Sequence, residues 1–281
     1  MKTMNKILSM LLACVMLFAL CACGSQEDAL EAIKKAGVLK VTLSPDFSPM
    51  EFVDSSKDGQ EQYVGFDVSL AKYIAEYIGV ELEITAMNFD ACQTAVYTGN
   101  VPMSISGYSW TEDRAENYEI SDYYYAGDNE TEQVILIRAA DADKYKSFAD
   151  LAGKKVGAQN ASLQMQLVQE QLPDSECVSI GDIAVGVLEL QSGNIEALAV
   201  AKGNGEMIIM SNPDLVICEQ QFDVKAEYEA NVILIKKGET ALLEVVNEAL
   251  AKAYAEGLYA EWYDEAKALA ATEAALEVTV D

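Results

Sequence analysis

Ser106-Gly107-Tyr108-Ser109-Trp110-Thr111-Glu112-Asp113-Arg114 reads as the end of a strand, a turn and the first turn of a helix. Thr111 is placed to cap that helix, with Glu112 and Asp113 in its first turn. The corner offers backbone N–H groups, hydroxyls and, one turn later, a guanidinium. The fork of an arginine matches the two oxygens of a carboxylate. Arginine is scarce: Arg114 and Arg138 stand against 17 lysines. The stretch alone is equally compatible with an ordinary loop followed by a surface helix arginine.

Working back from this corner, hydrophobic patterning predicts strand, helix, strand, helix, strand. Val38 to Leu43 is an apolar, β-branched run. Phe66 to Ile78 is amphipathic and stops at Gly79. Glu81 to Met87 alternates, Phe89 to Thr98 is a helix stopped by Gly99, and Met103 to Ser106 is a short strand. That order implies right-handed parallel crossovers in an α/β layer. Its strand-end loops then form a binding edge, which gathers Ser44–Met50, Asn88-Phe89 and Ser106–Arg114.

Working forward, a second series of similar size begins after residue 128. Strands are expected at Gln133 to Arg138, Lys155 to Gln159, Cys177 to Ile180, Ile195 to Ala201 and Leu215 to Cys218. Between them fall a polar and then helical Asp141–Leu151, a helix opened by Ser162, another from Asp182 to Ser192, and a Gly-rich link leading to a helix that ends at Met210. Asn231 to Lys236 and two terminal helices, Thr240–Glu256 and about Leu258–Ala271, return to the first series. Two lobes with a cleft between them follow, and the cleft is the default ligand site. The expected division is lobe 1 at 23–127 and 228–281, and lobe 2 at 128–227.

The 281 residues suffice for two such lobes, and 51% hydrophobic composition supports a substantial core. A net charge of −27 disfavours nucleic acid and anionic membrane surfaces as partners. There is no histidine, which excludes histidine triads, histidine bases and histidine metal ligands. Neither cofactor nor metal is expected, and the many acids read as solvated faces. Lys2 and Lys6 followed by the apolar run Ile7 to Leu20 resemble an export signal. Leu20-Cys21-Ala22-Cys23-Gly24-Ser25 resembles a bacterial lipoprotein signal, with residues 1–22 removed and Cys23 lipidated. No later apolar run approaches the length of a transmembrane helix. Cys92, Cys177 and Cys218 have neither disulfide-framework nor zinc spacing, although a Cys177–Cys218 bridge stays open.

The chain resembles the bacterial extracellular solute-binding proteins of the polar amino-acid class, from about Leu30 to Ala266. The resemblance is carried by Ser44-Pro45-Asp46-Phe47-Ser48-Pro49-Met50-Glu51-Phe52, Tyr63-Val64-Gly65-Phe66-Asp67-Val68-Ser69-Leu70-Ala71, Asn88-Phe89-Asp90, Thr111-Glu112-Asp113-Arg114, Ser121-Asp122-Tyr123-Tyr124-Tyr125 and Asn212-Pro213-Asp214-Leu215. It implies a type II two-lobed periplasmic-binding-protein-like fold with mostly parallel sheets and a two-strand hinge. It implies ligand capture by hinge closure, without catalysis, for an ABC importer. The protein would be a monomer, lipid-anchored on the outer face of the cytoplasmic membrane, with a permease as its protein partner.

The resemblance also implies a site. Phe47 and Phe89 would sandwich the ligand side chain. Gly107, Ser109 and Arg114 would hold a carboxylate, and the Ser106 carbonyl an ammonium. Tyr108 is a candidate for the same loop, with Trp110, Gln159, Gln164, Asn204 and Glu206 as further lining. Three positions depart from the pattern. Ala161-Ser162-Leu163 replaces a Gly-Thr-Thr-like corner and leaves Ser162 as the hydroxyl. Ala201 stands where an aspartate pairs an α-ammonium, and Ser44 where another aspartate is common. These departures point away from an ordinary α-amino acid. Two other classes remain open, a sensory receptor domain and an enzyme on the same fold.

Overall fold

The computed structural model describes residues 28–125 and 132–280, with side chains described as far as residue 273. Cys23, the export signal and the first crossing near residue 128 lie outside the described residues.

The first sheet has the order β5-β1-β6-β13-β7, with β1 Val38–Leu43, β5 Glu81–Ala86, β6 Met103–Ser109, β7 Tyr118–Ile120 and β13 Asn231–Lys236. β5, β1 and β6 are parallel, as the strand–helix alternation requires, and β13 returns antiparallel to β6. The helices α1 Ala29–Ala36, α2 Phe66–Ile78, α3 Phe89–Thr98 and α4 Glu112–Asn117 punctuate this half. α2 lays Phe66, Leu70, Ala71 and Ile74 onto Val41, Met103, Ile105, Ile233 and Ile235. Burying such side chains stabilises by about 1.5–3 kcal/mol each relative to exposure, before the entropy of ordering them is subtracted. The terminal helices α8 Thr240–Ala255 and α9 Leu258–Val280 add Leu242, Val246, Leu250, Tyr259 and Tyr263 to the same core.

The second sheet has the order β10-β9-β11-β8-β12, with β8 Gln133–Arg138, β9 Lys155–Gln159, β10 Glu176–Ile180, β11 Ala197–Ala201 and β12 Leu215–Ile217. Its two faces carry separate cores. One holds α5 Leu163–Gln171. The other holds α6 Ile183–Gln191 and α7 Lys202–Ser211. α9 reaches across and packs on α7, so the C-terminal helix touches both halves.

Four local details differ from the sequence expectation. β6 runs on to Ser109, past Ser106. The Gly-rich segment after Ala201 is the first turn of α7 rather than a link. There the absence of a side chain on Gly205 lets the helix approach Val200, since a Cβ would lie 3.1 Å from its methyl. The helix expected within Asp141–Leu151 is two short 3-10 turns, Ala139–Asp141 and Phe148–Leu151. A small sheet also appears, β2 Asp46–Phe47, β3 Glu51–Val53 and β4 Tyr63–Val64. Cys92, Cys177 and Cys218 are unpaired thiols, so the 177–218 bridge is not made. Among the described residues, no helix is long and apolar enough to cross a membrane.

Candidate functional site

The strand-end loops of the two sheets face each other across a small interlobe cavity of about 20 Å³. Phe47, Glu51, Phe89, Ser106 and Gly107 line it from lobe 1. Gln159, Gln164, Ile183, Ala199, Val200 and Ala201 line it from lobe 2. Of the residues singled out from sequence, Phe47, Phe89, Ser106, Gly107 and Ala201 therefore meet at one cavity, joined by Gln159 and Gln164.

Gly107 explains the tight corner. Its φ is +56°, a left-handed conformation that costs other residues about 1–2 kcal/mol. A Cβ there would lie 2.7 Å from the Phe47 ring, so only glycine lets the aromatic rest on the backbone. The freed Gly107 N–H donates to Asp67 Oδ2 at 2.8 Å.

Tyr108 is not on the cavity wall. Strand alternation turns it to the opposite face of β6 from the cavity residue Gly107. It is fully buried, with its hydroxyl 2.8 Å from Ser104 Oγ and its ring 4.9 Å from that of Phe89. It acts as the floor beneath Phe89 and Arg114, whose guanidinium carbon sits 5.2 Å from the Tyr108 ring centre and 5.6 Å from that of Phe89.

Arg114 is 4% exposed and stands behind the lining rather than in it. Thr111 caps α4 by accepting the Arg114 N–H at 3.3 Å, as the sequence predicts. The guanidinium donates from Nη1 to the Ser109 carbonyl at 2.6 Å, from Nη2 to the Ala161 carbonyl at 2.9 Å and from Nε to Gln93 Oε1 at 3.4 Å. One hydrogen on each Nη remains unassigned, because a guanidinium has five. Burial pushes the Arg114 pKa down to about 10, leaving the group cationic at neutral pH. Ser109 thus contributes its carbonyl here. The Ser162 hydroxyl serves as the N-cap of α5, accepting from Met165 N–H at 3.1 Å.

The Ala161 carbonyl lies in lobe 2, so this contact closes the cleft. Ala161 itself holds φ at +59°, and Gln93 Nε2 also donates to its carbonyl at 3.3 Å. Other bridges join the lobes. Asp46 Oδ2 accepts from Gln159 Nε2 and from the Ile183 N–H at the start of α6, both at 2.9 Å. Asn160 Nδ2 donates to Asp90 Oδ2 at 2.9 Å and Asn204 Nδ2 to the Ser48 carbonyl at 3.2 Å, while Tyr228, which packs in the lobe 2 core one residue past the expected boundary, donates its hydroxyl to Glu112 Oε2 at 2.8 Å. Asn204 therefore ties the lobes rather than lining the cavity, and Trp110 stacks on Tyr228 at 6.4 Å. Burial raises the Asp46 pKa from 3.8 to about 6, against the opposing pull of the Ile183 N–H.

Two buried acids correct the expectation that acids sit on solvated faces. Glu51 and Asp67 are both 0% exposed. Glu51 Oε1 accepts the Ser106 hydroxyl at 2.6 Å, while Asp67 Oδ2 accepts from Gly107 N–H and from the Tyr124 hydroxyl at 2.9 Å. Their other oxygens, Glu51 Oε2 and Asp67 Oδ1, are buried and accept no hydrogen bond among the described residues. Burial raises both pKa values, and the neighbouring Asp67 charge raises Glu51 further. Among the described residues, Glu51 is the one charged-type side chain on the cavity lining. The sequence clue to it is slight: an acid between Met50 and Phe52 in a short, Pro-preceded strand.

Among the described residues, no group of three His, Cys, Asp or Glu is arranged to hold a metal ion. Residues 39–266 match the model of the bacterial extracellular solute-binding proteins, family 3. The chain belongs to this family. It is 32% identical over 255 residues to the arginine-binding extracellular protein ArtP of Bacillus subtilis, covering 88% of this chain and 92% of that one. An amino acid ABC transporter substrate-binding protein of Streptococcus pneumoniae, bound to L-arginine, superposes with a TM-score of 0.77 at 32% identity, over 86% of this chain and 98% of the other. ArgBP from T. maritima, as its P235GK mutant, gives 0.74 at 33% identity over 84% and 99%. The family relation points against catalysis, and the two-lobed type II architecture agrees with these neighbours.

Proposed function

We propose that this solute-binding protein is the capture component of an ABC importer, anchored outside the cell through a lipid on Cys23. Its ligand carries one carboxylate and one cationic head. The observation that carries this reading is the buried Glu51 carboxyl on the wall of the interlobe cavity. The head, a guanidinium or ammonium, meets Glu51 between the Phe47 and Phe89 rings. Both rings add cation–π attraction of roughly 0.5–2 kcal/mol. The carboxylate takes the two unassigned Nη hydrogens of Arg114 and displaces the Ala161 carbonyl. The arginine-binding names among its relatives support a guanidinium head. The lobe 2 wall, Ala199–Val200–Ala201, offers no acid to a second cation. Burying an unpaired ammonium costs several kcal/mol, so an α-ammonium is not required of the ligand.

Thermal-shift titration of the mature chain tests this with L-arginine, 4-guanidinobutyrate and agmatine. At 100 times its Kd a ligand stabilises by about 2.7 kcal/mol. The expected order has 4-guanidinobutyrate at least equal to L-arginine, and agmatine, which lacks the carboxylate, far weaker. A tenfold preference for L-arginine would overturn the claim about Ala201. No response to any of the three would overturn the cationic head. Turnover of a bound ligand would favour an enzyme instead, since a cleft acid with a raised pKa also suits acid–base chemistry.

A further inference from the structure

The Glu51–Asp67 pair has a use beyond attraction. Two carboxyls without solvent cannot both be ionised side by side. Each is fully buried and presents one oxygen that receives no hydrogen bond among the described residues, and the charge of Asp67 bears directly on Glu51. One proton between them satisfies both. Asp67 also accepts two bonds, from Gly107 N–H and the Tyr124 hydroxyl, and Glu51 accepts one, from Ser106. The better hydrogen-bonded carboxylate is therefore Asp67, and the proton resides on Glu51, which lines the cavity.

We infer that the cationic head of the ligand displaces this proton, so that capture exchanges one cation for one proton at Glu51. The head enters, the Glu51 O–H bond breaks, and the proton leaves to solvent before or during closure. The negative charge of the pair rises by one while the ligand supplies one positive charge, so the buried site keeps its net charge. This rests on the proposed cationic ligand but adds a requirement of its own. Simple attraction to an ionised glutamate would release nothing.

The surroundings fit this exchange. Facing Glu51 on β3 are Asp67 from α2, Asp46 from β2, Tyr108 from β6 and Tyr124 beyond β7, with Arg114 of α4 against the far side of Tyr108. Tyr108 and Tyr124 have pKa values driven far up by burial, so they do not titrate near neutrality. Arg114 stays cationic. Asp46 titrates at about 6 and is the one other group able to exchange protons on closure.

Calorimetry of 4-guanidinobutyrate and L-arginine binding, run at about pH 8, leaves Asp46 ionised throughout. Runs in phosphate and in Tris separate the heat of buffer protonation. The expected result is about one proton released per ligand, with Kd falling about tenfold for each unit rise in pH until the free pair ionises. Binding with no proton release would overturn the exchange and leave the cationic ligand standing. Failure of both probes to bind would overturn the two together. Infrared difference spectra give a readout that needs no variant to fold. The unliganded protein should show a buried protonated carboxyl band that vanishes at saturation and is absent in Glu51→Gln. A band that survives saturation contradicts the exchange.

Discussion

The two walls of the cleft are built from similar strand ends, yet they carry opposite chemistry. Lobe 1 supplies a buried acid pair, a buried guanidinium and two aromatic rings. Lobe 2 supplies two glutamine amides and an apolar strand end at Ala199–Val200–Ala201. The difference follows from what supports each wall. On lobe 1, Glu51 and Arg114 are held by neighbours from β6, α2 and α3, so charge can be buried with its partners. On lobe 2, the wall leans on Val134, Leu136 and Leu198, which offer no partner to a charge. On the proposed reading, lobe 1 recognises the ligand, and lobe 2 mainly covers it and excludes water.

Replacing Arg114 should break this contrast most severely. Arg114→Ala removes the donors to the Ser109 carbonyl and Gln93 Oε1 and leaves the Ala161 carbonyl only Gln93 Nε2. Loss of a buried, partnered cation costs about 3–5 kcal/mol, read as a fall in the urea midpoint, with carboxylate ligands lost by calorimetry. Arg114→Lys sharpens the point, because it keeps the charge without the fork. Equal binding by both variants and the wild type would remove Arg114 from the site.

Next in size is Asp46, the acid that lobe 2 clasps. Its pKa is raised from 3.8 to about 6 in the folded protein. The folded state therefore holds the proton more tightly than the unfolded chain. The stability this contributes is fully present below 3.8 and is lost as pH rises through about 6, on the order of 3 kcal/mol in all. Denaturant unfolding across that range should show a shallower fall for Asp46→Asn than for the wild type. Identical slopes would mean that lobe 2 does not desolvate this acid.

Gly107→Ala should cost about 2 kcal/mol, from the left-handed backbone and the displaced Phe47 ring, measured by thermal unfolding. It should also weaken ligand binding, since it moves one wall of the cavity. Ser162→Ala on lobe 2 should cost only about 1 kcal/mol, the value of a helix cap, and change affinity little. A large affinity loss there would restore the hydroxyl as a ligand contact and blur the division between the walls.

Much of this was legible in the sequence, because periodicity and glycine stops mark the long elements. Phe47, Phe89 and Gly107 were legible too, since strand-end loops in this topology face one edge. Glu51 and Asp67 were not. An acid in a short strand reads as a solvated position, and an acid in a first helical turn reads as a partner of the helix dipole. Only tertiary packing buries them together. Tyr108 was misread for a related reason, as the strand continues three residues past Ser106 and alternation turns the ring inward. Strands of two residues, such as β2 and β4, carry no detectable period.

The central claim is that recognition resides in the lobe 1 acid. Calorimetric titration of 4-guanidinobutyrate and L-arginine into the wild type and Glu51→Gln tests it most directly. Loss of a buried charge partner predicts a Kd at least about a hundredfold weaker in the variant, roughly 3 kcal/mol, with unfolding still cooperative. A variant that folds and binds either ligand within about threefold of the wild type, less than 1 kcal/mol, would contradict the account.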